Sequence, residues 1–496
     1  CSGRNTITHA LFWLQFLLLI RPLERSKSAG SGKSPVLKLR GGHLASDLGI
    51  IFRVGLPLII NNVSSIGVTV ADTLMASTLG ATQLAAVAIG SGIWIALFLL
   101  GLGTIMAIGP TVAQHFGAGR GHEIGDDTRQ GFWLGLVISV IIVVAMRSIE
   151  PLLLMMGIAT DVCTLAQGYL DALSWGVFAA YAYHTLKQMS EGVGRTVPIM
   201  VVMAVALPIN IALNYTFMFG RFGAPQLGAV GCGLGNGISF WIMFALLALY
   251  VGRSRHYRAF GLWRHWSWPE ARALSRLLTL GVPIGLSLFL QSGLFTCVAL
   301  MMGALGTFAV AGHQIVLNYS GLVFMVPLGL AMALTVCVGH AVGRLDVVAA
   351  ARIGYTGIVL CGSLSLISAV TTFFLADTIT AVYTDDAELA VLVADLFRIA
   401  AVLQLGDGIQ VAAAFSLRGL KDTRVPLLLN AANYWGLGFT LAYVLGIVLG
   451  YGARGIWIGL ATALLTAGIL LIARFRVVTR RLCATQAELS DLQPLR

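Results

Sequence analysis

The chain has 496 residues, is 57% hydrophobic and only 11% charged, and carries a net charge of +11; its mean hydropathy is +0.87. A soluble domain carries about 25% charged residues, so this composition excludes a soluble chain and fits a polytopic membrane protein. The basic excess lies in short gaps between apolar runs, which is a topology signal and not a nucleic-acid patch.

Residues 1–47 stand apart from the rest of the chain. The apolar run Ala10–Ile20 is too short to span a bilayer. Arg21, Pro22, Glu24 and Arg25 come after it in place of a small-residue cleavage site. Ser26–Gly42 is rich in Ser, Gly, Lys and Arg, so a flexible basic leader is expected. Beyond it lie twelve apolar segments, each long enough to span. The first six are 50–76, 84–109, 129–148, 163–186, 197–219 and 229–251. The second six are 276–301, 310–334, 350–374, 388–415, 426–449 and 456–475. Even-numbered gaps hold Arg120, Arg195, Arg253, Arg255, Arg344, Arg418 and Lys421, among others. Odd-numbered gaps offer Arg147, Arg221 and Arg454 beside Asp161, Asp385 and Asp386. The basic side faces the cytoplasm, which puts both termini there.

This predicts an all-α polytopic membrane protein with lobes at 48–251 and 276–478 and a cytoplasmic tail at 479–496. Between the lobes, 252–275 is a linker whose Trp263, Trp266 and Trp268 suggest an amphipathic segment at the interface. The seven cysteines show no CxxC spacing, so neither a disulfide framework nor a metal site is expected.

The two halves are copies. Gly55 to Gly117 aligns without a gap on Gly281 to Gly343, at a constant offset of 226 residues. Gly55, Pro57, Gly67, Gly80, Phe98, Gly103 and Gly117 each meet the same residue type in the later copy. Six crossings per copy is an even number, so the repeats are parallel and related by an axis along the membrane normal. The chain is read as twelve transmembrane helices in two pseudo-symmetric six-helix bundles, with substrate bound between them. Gly194-Arg195-Thr196-Val197-Pro198 likewise answers Asp422-Thr423-Arg424-Val425-Pro426.

Asp72 breaks the repeat, because its counterpart is Val298. Packing alone did not require a carboxylate there, and an acid at the centre of a membrane helix costs roughly 2.5–3.5 kcal/mol on insertion scales. Such a group is a functional candidate, able to accept a proton or, when ionised, to hold a hard cation. The structural alternative is a carboxylate that reaches the headgroups or pairs with a neighbouring helix. Asn210 and Asn214, four residues apart, share one helix face and can join Asp72 in such a site. They can equally serve as interhelical hydrogen bonds.

Asp407 is an intramembrane acid of the second half. Asp395 has Arg398 three residues on, which favours a structural ion pair. Asp171 lacks a local partner, and it and the uncharged Gln291 are candidate cavity-lining residues. His184, His313 and His340 are isolated and read as packed, hydrogen-bonded residues. Pro57 is the candidate hinge of the first helix. No nucleotide-binding loop is present, so uphill transport has to draw on an ion gradient.

Several motifs together resemble the multidrug and toxic compound extrusion family, MATE, of the bacterial NorM type. They are Val70-Ala71-Asp72-Thr73-Leu74-Met75, 110–114 (Pro-Thr-Val-Ala-Gln), 222–233 beginning Phe222-Gly223-Ala224-Pro225, Ala311-Gly312-His313-Gln314, and Ser416 to Asp422. The resemblance covers about residues 48–478. It implies an antiporter, not an enzyme, that expels cationic lipophilic compounds against inward protons or sodium. The protein would work as a monomer in the inner (plasma) membrane, with no cofactor beyond the coupling ion. Asp72 matches the family's first-helix acid, Asn210 and Asn214 its fifth-helix polar pair, and Asp407 its tenth-helix acid. Gln291 and Leu403 depart from the glutamate and tyrosine of many NorM-type members. Both changes weaken a sodium site in the second lobe and shift coupling toward the first lobe and toward protons. The alternative is a lipid-linked oligosaccharide flippase of the same superfamily. That reading calls for basic residues inside the membrane, whereas the arginines here cluster in the gaps.

Overall fold

Apolar segments that leave water must satisfy their backbone amides internally, and this chain does so with helices. A computed structural model describes residues 41–264 and 267–492, with side chains over 44–264 and 267–486. Residues 1–40 of the expected leader, Trp266 and residues 493–496 lie outside the described residues.

The first lobe comprises α1 (Gly41–Thr78), α2 (Ala81–Gly117), α3 (Gly121–Arg147), α4 (Thr160–Ser174), α5 (Val177–Gly192), α6 (Val197–Phe219) and α7 (Ala229–Arg253). The second comprises α8 (Ala271–Ala304), α9 (Thr307–Gly343), α10 (Val347–Phe374), α11 (Ala387–Gly419), α12 (Arg424–Val448) and α13 (Gly452–Leu492). Eleven of these are long and apolar enough to cross a membrane. The remaining crossing, the fourth in chain order and expected over 163–186, is divided into α4 and α5 at Trp175 and Gly176. Gly176 lies backbone to backbone against Gly237 of α7, leaving no room for a side chain between them.

Three expected boundaries move. Helix α1 begins at Gly41, inside the expected leader, and Asp47 pairs with Arg352 of α10 at 2.7 Å. At the other end, α13 continues through most of the expected tail, where the Gln486 side chain accepts from the Val347 amide at 3.3 Å. Over its described residues the linker, expected as an amphipathic segment, forms a single turn at Arg255–Arg258 and then folds onto the first lobe through buried Tyr257, Phe260 and Leu262. Arg129 holds it by donating to the Gly261 and Leu262 carbonyls at 3.1 and 3.2 Å. Trp263 and Trp268 remain exposed, and α8 already starts at Ala271.

The lobes meet along a seam that obeys the sequence offset. Gly103 lies against Gly285, and the equivalent Gly329 lies against Ile59. Gly117 abuts the His340 carbonyl as Gly343 abuts that of Gln114. Gln114 Nε2 donates to the Gly419 carbonyl at 3.0 Å, while His340 Nε2 lies 2.7 Å from the Gly192 carbonyl. Ile51, Val54, Leu58 and Ile59 of α1 belong to the core of the second lobe. Their counterpart in α8, Leu277, belongs to the core of the first. Each lobe's first helix thus starts in the opposite lobe and ends in its own.

All these approaches lie at the end of the bundle that carries the basic loops. Lys421, in the turn between α11 and α12, reaches across there. Burial pushes its ammonium down from the ordinary lysine range, and Asp127 of the other lobe opposes that shift.

Candidate functional site

Asp72 lies near the end of α1, in the half that packs within its own lobe, and is 9% exposed. Asn214, one of two asparagines that α6 presents on one face, donates to Asp72 Oδ1 at 2.6 Å and to Asn210 Oδ1 at 3.2 Å. Asn210 in turn donates to Asn236 Oδ1 at 2.6 Å and to Ser239 Oγ at 3.0 Å, both on α7. Asn236 closes the ring by donating to Asp72 Oδ2 at 2.9 Å. Sequence spacing pointed to Asp72, Asn210 and Asn214, and the fold brings all three together.

Sequence reasoning missed Asn236 and Ser239. The available signal was two polar residues in an otherwise apolar α7, flanked by Gly235 and Gly237. Gly235 matters here because a side chain at that position would occupy the space of Asn214 Oδ1.

The hydrogen bonds set the electrostatics. The donors to Asp72 are all neutral, the Asn214 and Asn236 amides and the Cys232 thiol, and among the described residues no lysine or arginine pairs with it. The ionised carboxylate therefore has no counter-charge among the described residues. Asn214 Oδ1 is buried and accepts nothing. The two carboxylate oxygens and the unpartnered Asn214 Oδ1 are atoms of the kind that takes up a proton or a hard monovalent cation. No cluster of three or more His, Cys, Asp or Glu suited to a metal occurs among the described residues.

The other candidates fall elsewhere. Asp407 is on α11, in the second lobe, and its Oδ1 is buried with no donor. The nearby Tyr434 hydroxyl, in a stretch where α12 winds as a π-helix over Ala432–Phe439, is also buried without a partner. Gln291 is half-buried on α8 and makes no side-chain hydrogen bond among the described residues. Asp171 proves to have a partner, accepting from Gln167 Nε2 at 2.8 Å. Gln167 also donates to the Met146 carbonyl at 3.1 Å, so this pair ties α4 to the end of α3. Asp395 is held by Arg398 at 3.0 Å and by Arg454, an ion-pair network of structural character. Of the histidines, His340 is hydrogen-bonded, His184 packs on Phe98 and Tyr183, and His313 is buried beside Trp457 with neither ring nitrogen partnered. Pro57 lies inside α1, which continues through it as an unbroken helix.

The MatE family model matches the chain twice, at residues 57–216 and 283–444. The chain belongs to the MatE family. Multidrug resistance protein MdtK of Yersinia enterocolitica is 38% identical over 431 residues, covering 86% of this chain and 94% of the relative. Probable multidrug resistance protein NorM of Xanthomonas axonopodis pv. citri is 39% identical over 441 residues, covering 89% and 96%. A solved MATE in the bent conformation superposes with a TM-score of 0.82 at 20% identity, over 90% of this chain and 99% of that one. The two MatE matches are the two halves of the internal repeat. The first contains Asp72, Asn210 and Asn214 and ends before Asn236, so the amide that completes the ring lies outside the matched segment.

Proposed function

We propose that this MatE-family protein is a secondary antiporter that exports cationic, lipophilic compounds in exchange for protons, with sodium as the alternative ion. It works by alternating access between the lobes at 48–251 and 276–478, in the inner membrane, with the basic loops on the cytoplasmic side. The observation that carries this reading is the Asp72 ring, in which a buried carboxylate is held only by neutral donors among the described residues. Such a group needs a cation from outside the protein to balance it, and a proton or sodium ion supplies one. The names of the relatives support drug-like cargo, since both are called multidrug resistance proteins.

The path of α1 supports coupling. Its first half packs in the core of the second lobe and its last turns carry Asp72 in the first. A change of charge at Asp72 therefore acts on a helix that spans both lobes, with Pro57 at the crossing as the hinge. The ion favours one arrangement only to the extent that it binds the two arrangements differently. The site assignment is Asp72, Asn210 and Asn214, joined by Asn236, with Asp407 as a second acid in the other lobe.

The test uses proteoliposomes in which a proton or a sodium gradient is imposed separately. Efflux of a fluorescent organic cation is followed for the wild type, Asp72→Asn and Asp407→Asn. A proton gradient that drives efflux in the wild type and not in Asp72→Asn is the expected result. Sodium-driven efflux sensitive only to Asp407→Asn would move the ion to the second lobe. Failure of both gradients to move any cation would overturn the antiport reading.

A further inference from the structure

A groove of about 670 Å³ opens on the flank of the first lobe, between α1, the turn that joins α5 to α6, α6 itself and α7. One wall is the stripe Val197, Val201 and Val205, spaced four residues apart on α6, and the facing wall includes Leu246 and Tyr250 of α7. The valines are 53%, 49% and 42% exposed, so the wall is open to whatever surrounds the protein. At the end facing the basic loops, the groove is bounded by Arg53 of α1 and Arg195 of the turn. Both are exposed, and among the described residues neither guanidinium has a hydrogen bond or an ion pair. No acidic residue lines the groove.

Packing does not explain these arginines. The turn is already fastened to α1 by Thr196 Oγ1, which donates to the Val54 carbonyl at 2.9 Å. At the equivalent places in the second lobe the chain has Thr279 and Thr423. That lobe instead has Arg276 three residues earlier and Arg424 one residue later, and its Asp422, next to Thr423, is in an ion pair with Arg474 at 2.7 Å.

We propose that this groove binds one anionic phospholipid from the leaflet beside the basic loops. Its phosphate sits between Arg53 and Arg195, and an acyl chain runs along Val197, Val201 and Val205. Planar guanidinium groups match phosphate oxygens in charge and geometry. The apolar walls select the lipid over a free anion, which would leave them uncovered. The bound lipid bridges α1 and α6, the two helices that hold Asp72 and Asn214. The proposal does not depend on what the protein transports.

The test is native mass spectrometry of the delipidated full chain, titrated with phosphatidylglycerol, phosphatidylcholine or inorganic phosphate. The expected result is one phosphatidylglycerol held in preference to phosphatidylcholine. Arg53→Gln/Arg195→Gln should weaken it about thirtyfold, the factor that two juxtamembrane arginines carry. Val201→Trp, which fills the groove and keeps both charges, should also remove it, whereas Arg480→Gln/Arg481→Gln on α13 should not. Unchanged preference in the double arginine variant overturns the proposal, and so does unchanged binding in Val201→Trp. Displacement of the lipid by millimolar inorganic phosphate assigns the arginines to a free anion and overturns it as well.

Discussion

The two lobes follow one backbone plan and put opposite chemistry in the same place. In the first, Gly228 turns the chain into α7 with φ of 56°; in the second, Gly452 does so into α13 with φ of 58°. Gly235 makes room for Asn214 as Gly459 makes room for Ala442, and Gly231 meets Phe217 as Gly455 meets Leu445. In this register Asp72, Asn210, Asn214 and Asn236 correspond to Val298, Gly438, Ala442 and Leu460. Val298, Ala442 and Leu460 are fully buried in one apolar cluster. The fold therefore does not need the polar ring, since the second lobe packs without it. The second lobe keeps its own acid, half-buried on a different helix, and the buried Asp407 Oδ1 finds no donor there.

The strongest way to break this contrast is to make the first lobe resemble the second. Asp72→Val/Asn210→Ala/Asn214→Ala/Asn236→Leu should abolish gradient-driven efflux in proteoliposomes while the protein still folds. Replacing a complete buried polar network with apolar residues is neutral or stabilising by about 1–4 kcal/mol, so the thermal midpoint should hold or rise. A midpoint that collapses would mean the ring is structural.

Removing only one member should do the reverse. Asn214→Leu leaves Asp72 Oδ1 without its donor and should destabilise the protein by about 1–3 kcal/mol, read as a lower thermal midpoint in detergent. In the second lobe, Asp407→Leu removes an acid that has no donor to lose. It should stabilise by up to about 1–3 kcal/mol and leave proton-driven efflux in place. Loss of coupling in that variant would transfer the ion site to the second lobe.

The seam sharpens the comparison from the symmetric side. Gly103→Val and Gly329→Val insert a side chain at equivalent close approaches, and both should cost about 1–3 kcal/mol by overpacking. Unequal melting shifts would show that the two halves of the seam do not bear equally on stability. The smallest effect is expected for Asp171→Asn. The new amide still accepts from Gln167, so stability should stay within about 0.5 kcal/mol and efflux should be unchanged.

The sequence by itself determined the membrane class, the doubled architecture, the approximate crossings and the exceptional position of Asp72. Each of these is written locally, as an apolar run, a fixed offset or one residue that disagrees with its copy. Asn210 and Asn214 were legible because helical spacing puts them on one face. The remainder depends on contacts that no spacing encodes. Asn214 and Asn236 reach Asp72 across 142 and 164 residues of chain. Gly176 divides a crossing because of what α7 brings against it, and Asp171 finds Gln167 only once α4 is formed. Ile51 to Ile59 read as one side of an ordinary apolar helix, and only packing assigns them to the other lobe's core. Arg53 and Arg195 were two members of a basic bias until the fold set them at the mouth of one groove. Helix formation and the preference for the membrane are fixed by near neighbours in the chain, whereas packing partners, hydrogen-bond closure and charge compensation depend on distant ones.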